Sequence, residues 1–406
     1  MKPKIRFNNN CWQKHKVGDL CDLLTGYPFP GDKILNRGKN LLMRGINITE
    51  GRIRHSDEID RYYNEDTIGL EKYRLQVGDL VIGMDGSKVG KNSALVTSKE
   101  NNSLLVQRVA RLRNEDKNLI NLIQIAVGSD KFIKYVEEMK TSSAIPHISP
   151  ADIRNFPLSL PEDSNERRLI ASYFTFLNSQ ISASTSRLAS LKQMKAASLQ
   201  AMFPQKGETV PKVRFKGFEG EWKKVKVSTL LEERREFDKM SDEYPLMAFI
   251  ANIGVADKGD RYDRSSLVND IENKLYKKTD LGDFIYSSNN LETGSIGLNR
   301  YGKATISPVY SIFKCTDKSN YDFIGCAFTR KEFINNMVKW RQGVMYGQWR
   351  IHESDFFKIE ILVPSIDEQR CIGDYFTSLD HQITLQTQRL EKLKQIKSAC
   401  LDKMFV

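Results

Sequence analysis

The sequence predicts an α+β chain built as an internal repeat. Two globular α/β blocks are each followed by a long helix, and the two helices pair as an antiparallel coiled coil with pseudo-two-fold symmetry. Three observations predict this. The stretch Glu166–Phe203 is written again as Glu368–Phe405 at a constant offset of 202. Tyr173-Phe174 recurs as Tyr375-Phe376, and Leu191-Lys-Gln-Met-Lys195 as Leu393-Lys-Gln-Ile-Lys397. Similarity this long at a fixed period marks a duplicated unit. Both copies are free of proline, which is what an uninterrupted helix requires. The starts of the blocks also match, Pro3-Lys-Ile-Arg-Phe7 with Pro211-Lys-Val-Arg-Phe215, each followed by a tryptophan, Trp12 or Trp222.

The apolar residues of the first copy are Ile170, Phe174, Leu177, Ile181, Leu188 and Leu191. Those of the second are Ile372, Phe376, Leu379, Ile383, Leu390 and Leu393. Their steps alternate between four and three, which is a coiled-coil seam. Ser184 and Gln386 interrupt the seam at the centre of each copy. At 1.5 Å per residue each helix is about 57 Å long. A helix of that length with a narrow apolar stripe needs a partner, and the other copy is the one at hand. The alternative is a separate surface helix on each block.

The predicted order is a block at 1–161, a helix at 162–206, a block at 207–364 and a helix at 365–406. In the first block, strands are expected at Leu41–Ile48, Val77–Met84 and Leu104–Leu112, with a helix near Leu119–Glu138. Each block holds a Gly-Asp step before a buried strand, Gly78-Asp79 and Gly282-Asp283. Each closes on a strand ending in proline, at Pro161 and Pro364. Just before that strand lies a polar loop, Ser142–Ser149 in the first block and Gly343–Arg350 in the second.

Net charge is +11 over 406 residues, with 25 basic against 19 acidic residues in the first 160. A basic excess spread over folded blocks favours a polyanionic partner. No apolar run is long enough to span a bilayer, and the first residues lack a signal-peptide core, so the expected location is the cytoplasm. The six cysteines show neither zinc nor redox spacing. Asp85–Asn92 imitates a phosphate loop, but Asp85 stands where glycine is required and Lys91 precedes Asn92 rather than serine or threonine. A glycine-rich hairpin is the better reading. No GxGxxG follows a strand, no HExxH occurs, the Asn-Pro-Pro-aromatic motif of amino-methyltransferases is missing, and no acidic cluster suits metal-assisted phosphodiester cleavage. The expectation is a binding protein with no catalytic residue and no metal.

Candidate DNA contacts are basic and amide side chains in turns. The first block offers Arg44, Asn47, Arg52 and Arg54, then Lys88, Lys91 and Asn92, then Arg108 and Arg111, and finally His147. The second offers Arg261 and Arg264, Asn289 and Asn290, Arg300 and Lys303, Arg341, and the run Gln348, Trp349, Arg350. Arginine, asparagine and glutamine bond base edges in pairs, whereas lysine mostly reaches phosphates.

Taken with the helix repeats, the junctions Leu160-Pro161…Glu166-Arg167 and Val363-Pro364…Glu368-Gln369-Arg370 resemble the DNA-specificity subunit of type I restriction-modification enzymes. So do Gly78–Gly86 and Ser143-Ala-Ile-Pro-His-Ile-Ser149. Two departures stand out: the second block has Gln348-Trp-Arg-Ile351 in place of Ile-Pro-x-Ile-Ser, and the first helix opens Glu166-Arg167 rather than Glu-Gln. The resemblance implies two target-recognition domains that each read half of a bipartite site in double-stranded DNA. The helix pair would set the spacing and dock two methyltransferase subunits, which use S-adenosylmethionine. Restriction subunits using ATP and Mg would join them, and this chain would hold no cofactor. Two rivals are a coiled-coil adaptor that binds only proteins, and an enzyme that cuts and methylates in one chain. The diverged basic blocks speak against the first and the missing motifs against the second.

Overall fold

A computed structural model describes residues 12–139, 146–257, 274–344 and 348–404. The chain divides into two compact units. One comprises the residues up to Thr185 together with those from Gln388 onward; the other is Ser186–Thr387. The first long helix is Ser164–Ala201 and the second is Ile366–Met404. Each helix therefore gives one segment to each unit. Among the described residues, no helix is long and apolar enough to cross a membrane.

In the first unit the central sheet is antiparallel, in the order Asp22–Thr25, Val109–Arg113, Leu80–Gly83, Ser93–Leu95. Alternation along its strands sends side chains to opposite faces. Leu80, Ile82, Ala110 and Leu112 face the helices Lys117–Val127 and Asp130–Met139, while Val81, Val109 and Ala94 enter a second, smaller core. Burial on both faces explains why Leu80–Gly83 reads as an unbroken apolar run. The second unit repeats the plan with Leu231–Glu233, Ser311–Cys315, Phe284–Tyr286 and Ile296–Leu298. There, Phe284, Tyr286 and Phe313 line the large core and Ile285 and Ile312 the small one.

The Gly-Asp steps are structural. Asp79 is 2% exposed; it accepts the Gln76 N–H at 2.8 Å and takes a bidentate pair from Arg113 at 2.6 and 2.7 Å. Asp283 does the same with the Asp280 N–H at 2.7 Å and Arg234 at 2.7 Å. Each aspartate closes the turn that leads into the central strand and ties it to a neighbouring segment.

The entry and exit strands of each unit pair with each other. Trp12–Lys16 lies antiparallel to Pro157–Pro161, and Lys223–Lys226 to Glu360–Val363. The helix then begins on a buried carboxylate. Glu166 accepts from Trp12 Nε1 at 3.3 Å, and Glu368 takes both arms of Arg214 at 2.7 Å.

Within each unit the segments of the two long helices run antiparallel. In the first, Tyr173 Oη lies 3.7 Å from Cys400 Sγ, and Arg389 donates to Gln180 at 3.3 Å. In the second, Tyr375 Oη lies 2.9 Å from Ser198 Oγ, and Lys195 pairs with Asp380 at 2.5 Å. Ile170, Phe174, Leu177 and Leu191 of the first seam are buried, as are Ile372, Phe376, Leu379 and Leu390 of the second. Ile181, Leu188, Ile383 and Leu393 are half-buried. Ser184 and Gln386 are also buried.

Three expected elements differ. Leu104–Leu112 is two strands, Leu104–Leu105 and Val109–Arg113, because Arg108 sits at φ +66° and turns the chain from one sheet into another. The helix near Leu119–Glu138 breaks at Gly128-Ser129 into two. The strand at Leu41–Ile48 stops at Met43, and Gly45–Asn47 forms a 3-10 turn.

Asp79→Asn leaves Arg113 with a neutral partner at a buried site and should cost about 3–5 kcal/mol, read from chemical unfolding. The exposed Asp57→Asn should leave stability unchanged. A smaller effect follows from the repeat. Lys397 corresponds to Lys195, but Asn178 stands where Asp380 would match it. Burial holds the Lys397 ammonium below its usual lysine range, with Glu50 opposing. Asn178→Asp should raise it again and add up to about 1 kcal/mol, measured by the same unfolding curve.

Candidate nucleic-acid interface

In the first unit several turns meet at one end of the central sheet. The loop after Leu80–Gly83 forms an isolated bridge between Asp85 and His147, and the Ile148 N–H bonds to Met84 O at 3.0 Å. Met84 N–H in turn bonds to Arg108 O at 3.0 Å. A Cβ on Gly45 would lie 3.4 Å from Asp85 Oδ1, so the Gly45–Asn47 turn abuts the same aspartate. Arg108 Nη1 is 3.5 Å from Asp85 and its side chain is 57% exposed. Lys88 and Lys91 are exposed on the intervening loop. Arg108, His147 and the Gly45 turn that follows Arg44 thus meet at Asp85, Lys88 and Lys91 are exposed on the loop after it, and Asn92 is half-buried where that loop rejoins Gly83. The motif's final serine is structural, since Ser149 caps the helix Pro150–Asn155 by accepting from Asp152 N–H at 3.1 Å.

Several other candidates are engaged within the fold. Asn47 is buried, donating to Arg54 O at 3.3 Å and to Asp60 at 2.9 Å. Arg111 is buried against Asp22, and burial lowers its guanidinium below the usual range. Arg52 is exposed on the hairpin Ile48–Thr49/Arg52–Ile53, and Arg54 donates to Ile46 O at 2.9 Å.

In the second unit the loop at the equivalent place is Ser287–Asn290. Ser288 Oγ accepts the Ile351 N–H at 3.0 Å and Asn289 Oδ1 accepts the Trp349 N–H at 2.5 Å. Those bonds hold the ribbon Gln342–Val344/Gln348–Arg350 against the sheet end. Ile351 thus takes the place that Ile148 has in the first unit, despite the different motif around it. Gln348, Trp349, Arg350 and Asn290 are exposed. Arg341 is not: its side chain is 9% exposed and pairs with Glu292 at 2.8 Å. Arg300 bonds to Asp322 at 2.7 Å and Thr377 at 3.3 Å, which ties the block to the second long helix. Lys303 pairs with Glu243 and leans on the Tyr244 ring. Arg261 and Arg264 lie outside the described residues. Sequence reasoning misses Gln342, on the ribbon's other strand; the signal for it is Gly343, whose missing side chain leaves room for an aromatic opposite.

A largely buried hydrogen-bonded cluster lies behind the first unit's turns. His55 Nδ1 lies 3.1 Å from Asp60 and Nε2 lies 2.8 Å from Glu100, while Asp60 also holds Asn47. Among the described residues there is no group of three or more metal-ligating side chains.

The fold is thus a tandem: two blocks of one plan, each closed on a long helix and each presenting different polar loops at the same end. Comparison with known proteins gives the family. A family model described as "Type I restriction modification DNA specificity domain" matches residues 9–193 and again 220–395, and the chain belongs to that family. The EcoAI specificity subunit of Escherichia coli, a type I restriction enzyme subunit, is 29% identical over 161 residues, 38% of this chain. The match spans about a quarter of that relative, 27% of its length. The type I restriction-modification S subunit from M. genitalium superposes with a TM-score of 0.62 over 100% of this chain and 99% of its own, at 15% identity. The HsdS subunit from Thermoanaerobacter tengcongensis gives 0.41 over 97% and 96%, at 14% identity.

Burial opposes ionisation of Glu100, but hydrogen bonds from Thr97 and His55 outweigh it and hold the carboxyl below its ordinary value of 4.5. A depressed folded value stabilises fully above the unfolded value and is lost as pH falls through the folded one. Glu100→Gln should therefore destabilise the protein at neutral pH and flatten the stability loss below pH 4.5, measured by thermal unfolding across a pH series.

Proposed function

We propose that this chain is the DNA-reading, non-catalytic subunit of a type I restriction-modification complex, and that each block reads one half of a bipartite site. The observation that carries this is the pairing of a shared scaffold with diverged loops. Ile148 and Ile351 anchor the same place in the two units, yet the groups beside them are Asp85, His147 and Arg108 in one and Asn289, Gln348 and Arg350 in the other. The backbone plan is kept while the polar groups at the sheet end are exchanged, as two readers of different sequences require. Exposed lysines such as Lys88 and Lys91 would track phosphates, whereas arginine and amide groups would touch base edges. The helix pair would set the separation of the half-sites and dock methyltransferase subunits that bring S-adenosylmethionine. Restriction subunits would bring the ATP- and Mg-dependent chemistry. Within this reading the protein works in the cytoplasm, where its DNA and partners are.

The test treats the helices as a ruler. Seven residues added after Ser184 and seven after Gln386 keep the seam in register and lengthen the pair by about 10 Å. Along B-DNA that is about three base pairs, which also rotate the groove by roughly 100°. Binding should weaken, and surviving methylation by the complex should demand a longer spacer between unchanged half-sites. Methylation of a library with randomised spacers reads this directly. Retention of the original spacer at full affinity would overturn the ruler.

A further inference from the structure

The ribbon of the second unit has the form of a reading element. Its register pairs Gln342 with Arg350, Gly343 with Trp349 and Val344 with Gln348. Every side chain described on it is exposed: Gln342, Gln348, Trp349 and Arg350. A ribbon placed to build a core would bury one face. By alternation, Gln348 and Arg350 share a face with Gln342, and Trp349 lies on the other with Gly343. The two strands are about 4.8 Å apart, and a two-stranded ribbon fits a major groove about 12 Å wide.

The two faces differ in chemistry. The Gln342/Gln348/Arg350 face carries three side chains able to donate hydrogen bonds to base edges. Gln342 and Arg350, cross-strand neighbours, are steadied by Asp355 at 3.2 Å and by Glu353 at 3.9 Å. The second is a long pairing from an exposed arginine, one that a base could replace. On the opposite face the Trp349 indole reaches over Gly343: a Cβ built there would lie 4.0 Å from Cζ3. An aromatic covering a cross-strand glycine supplies the packing that the glycine lacks and stiffens the pair. The Trp349 backbone N–H is spent on Asn289, which fixes where the ribbon leaves the sheet.

We propose, resting on the half-site reading above, that this ribbon enters the major groove of the second half-site with Gln348 and Arg350 touching base edges, while Trp349 is a positioning residue that sets the ribbon against Gly343 and contacts no base.

The assembled complex is assayed for methylation on a library in which both half-sites are randomised, with binding measured by gel shift. Wild type must first yield a bipartite motif; a complex that methylates without a second half-site overturns the reading beneath this one. Given that motif, Gln348→Ala and Arg350→Ala should each relax one or two adjacent positions of the second half-site, costing roughly 5- to 150-fold against the cognate base, with the first half-site untouched. Trp349→Ala should weaken binding to every sequence alike without relaxing any position, and Trp349→Phe should restore it. Unaltered base preference in both Gln348→Ala and Arg350→Ala would remove the ribbon from the groove. A base preference lost in Trp349→Ala and not regained in Trp349→Phe would make the indole a reader and overturn its assignment. Circular dichroism melting of each variant complex, matched to wild type, shows that the effects are local.

Discussion

The antiparallel pairing of each block's first strand with its last sets the terms for the rest of the molecule. Trp12–Lys16 against Pro157–Pro161, and Lys223–Lys226 against Glu360–Val363, bring the chain back to where it entered. Everything between is an insertion whose two ends are clamped a strand's width apart. The helix then departs from a buried carboxylate, Glu166 under Trp12 or Glu368 under Arg214. Buried acids of this kind are costly unless paired, so the helix is held in one orientation relative to the block's closing strands. A block clamped this way can lengthen or exchange its distal loops without moving the helix that follows.

The same logic explains which features are legible in the sequence. The helices are legible because repetition and a four-three spacing are local signals, and Ser164–Ala201 and Ile366–Met404 lie close to where the pattern puts them. The Gly-Asp steps are visible, but their purpose is not. Nothing near Asp79 in the sequence shows that Arg113, 34 residues on, closes over it. Arg108 reads as a strand residue from its apolar neighbours, and only the handover between two sheets makes it left-handed.

The candidate contacts are harder to read, for a reason of charge pairing. Arg300, Arg341, Lys303 and Arg111 have the same composition signature as Arg108, Lys88 and Arg350. In the fold the first four meet Asp322, Glu292, Glu243 and Asp22. A cation already paired with an acid, whether buried like Arg111 and Arg341 or half-exposed like Arg300 and Lys303, has less to gain from a phosphate. The useful basic residues are those whose partner is distant or absent from the neighbouring turns, and that depends on which acids the tertiary fold delivers. Net charge counts both sets equally, which is why an excess of +11 is a weak guide to the surface.

Comparison of the two sheet ends shows how polar loops can diverge at constant fold. The hydrogen bond at Ile148 goes to a backbone carbonyl, and that at Ile351 to the Ser288 hydroxyl. The neighbouring position is Asp85 in one unit, paired with Arg108, and Asn289 in the other, accepting from a backbone N–H. The acid lies beside an exposed arginine, Arg108, in a mixed surface that also carries His147, Lys88 and Lys91. An amide has no charge to hold, bonds backbone instead, and helps hold the ribbon at the sheet end. One carboxylate-to-amide difference thus accompanies a change in the polar groups presented among the described residues. The sheet behind it is buried on both faces and is indifferent to the exchange. The polar chemistry at the sheet end therefore varies independently of the packing that carries it.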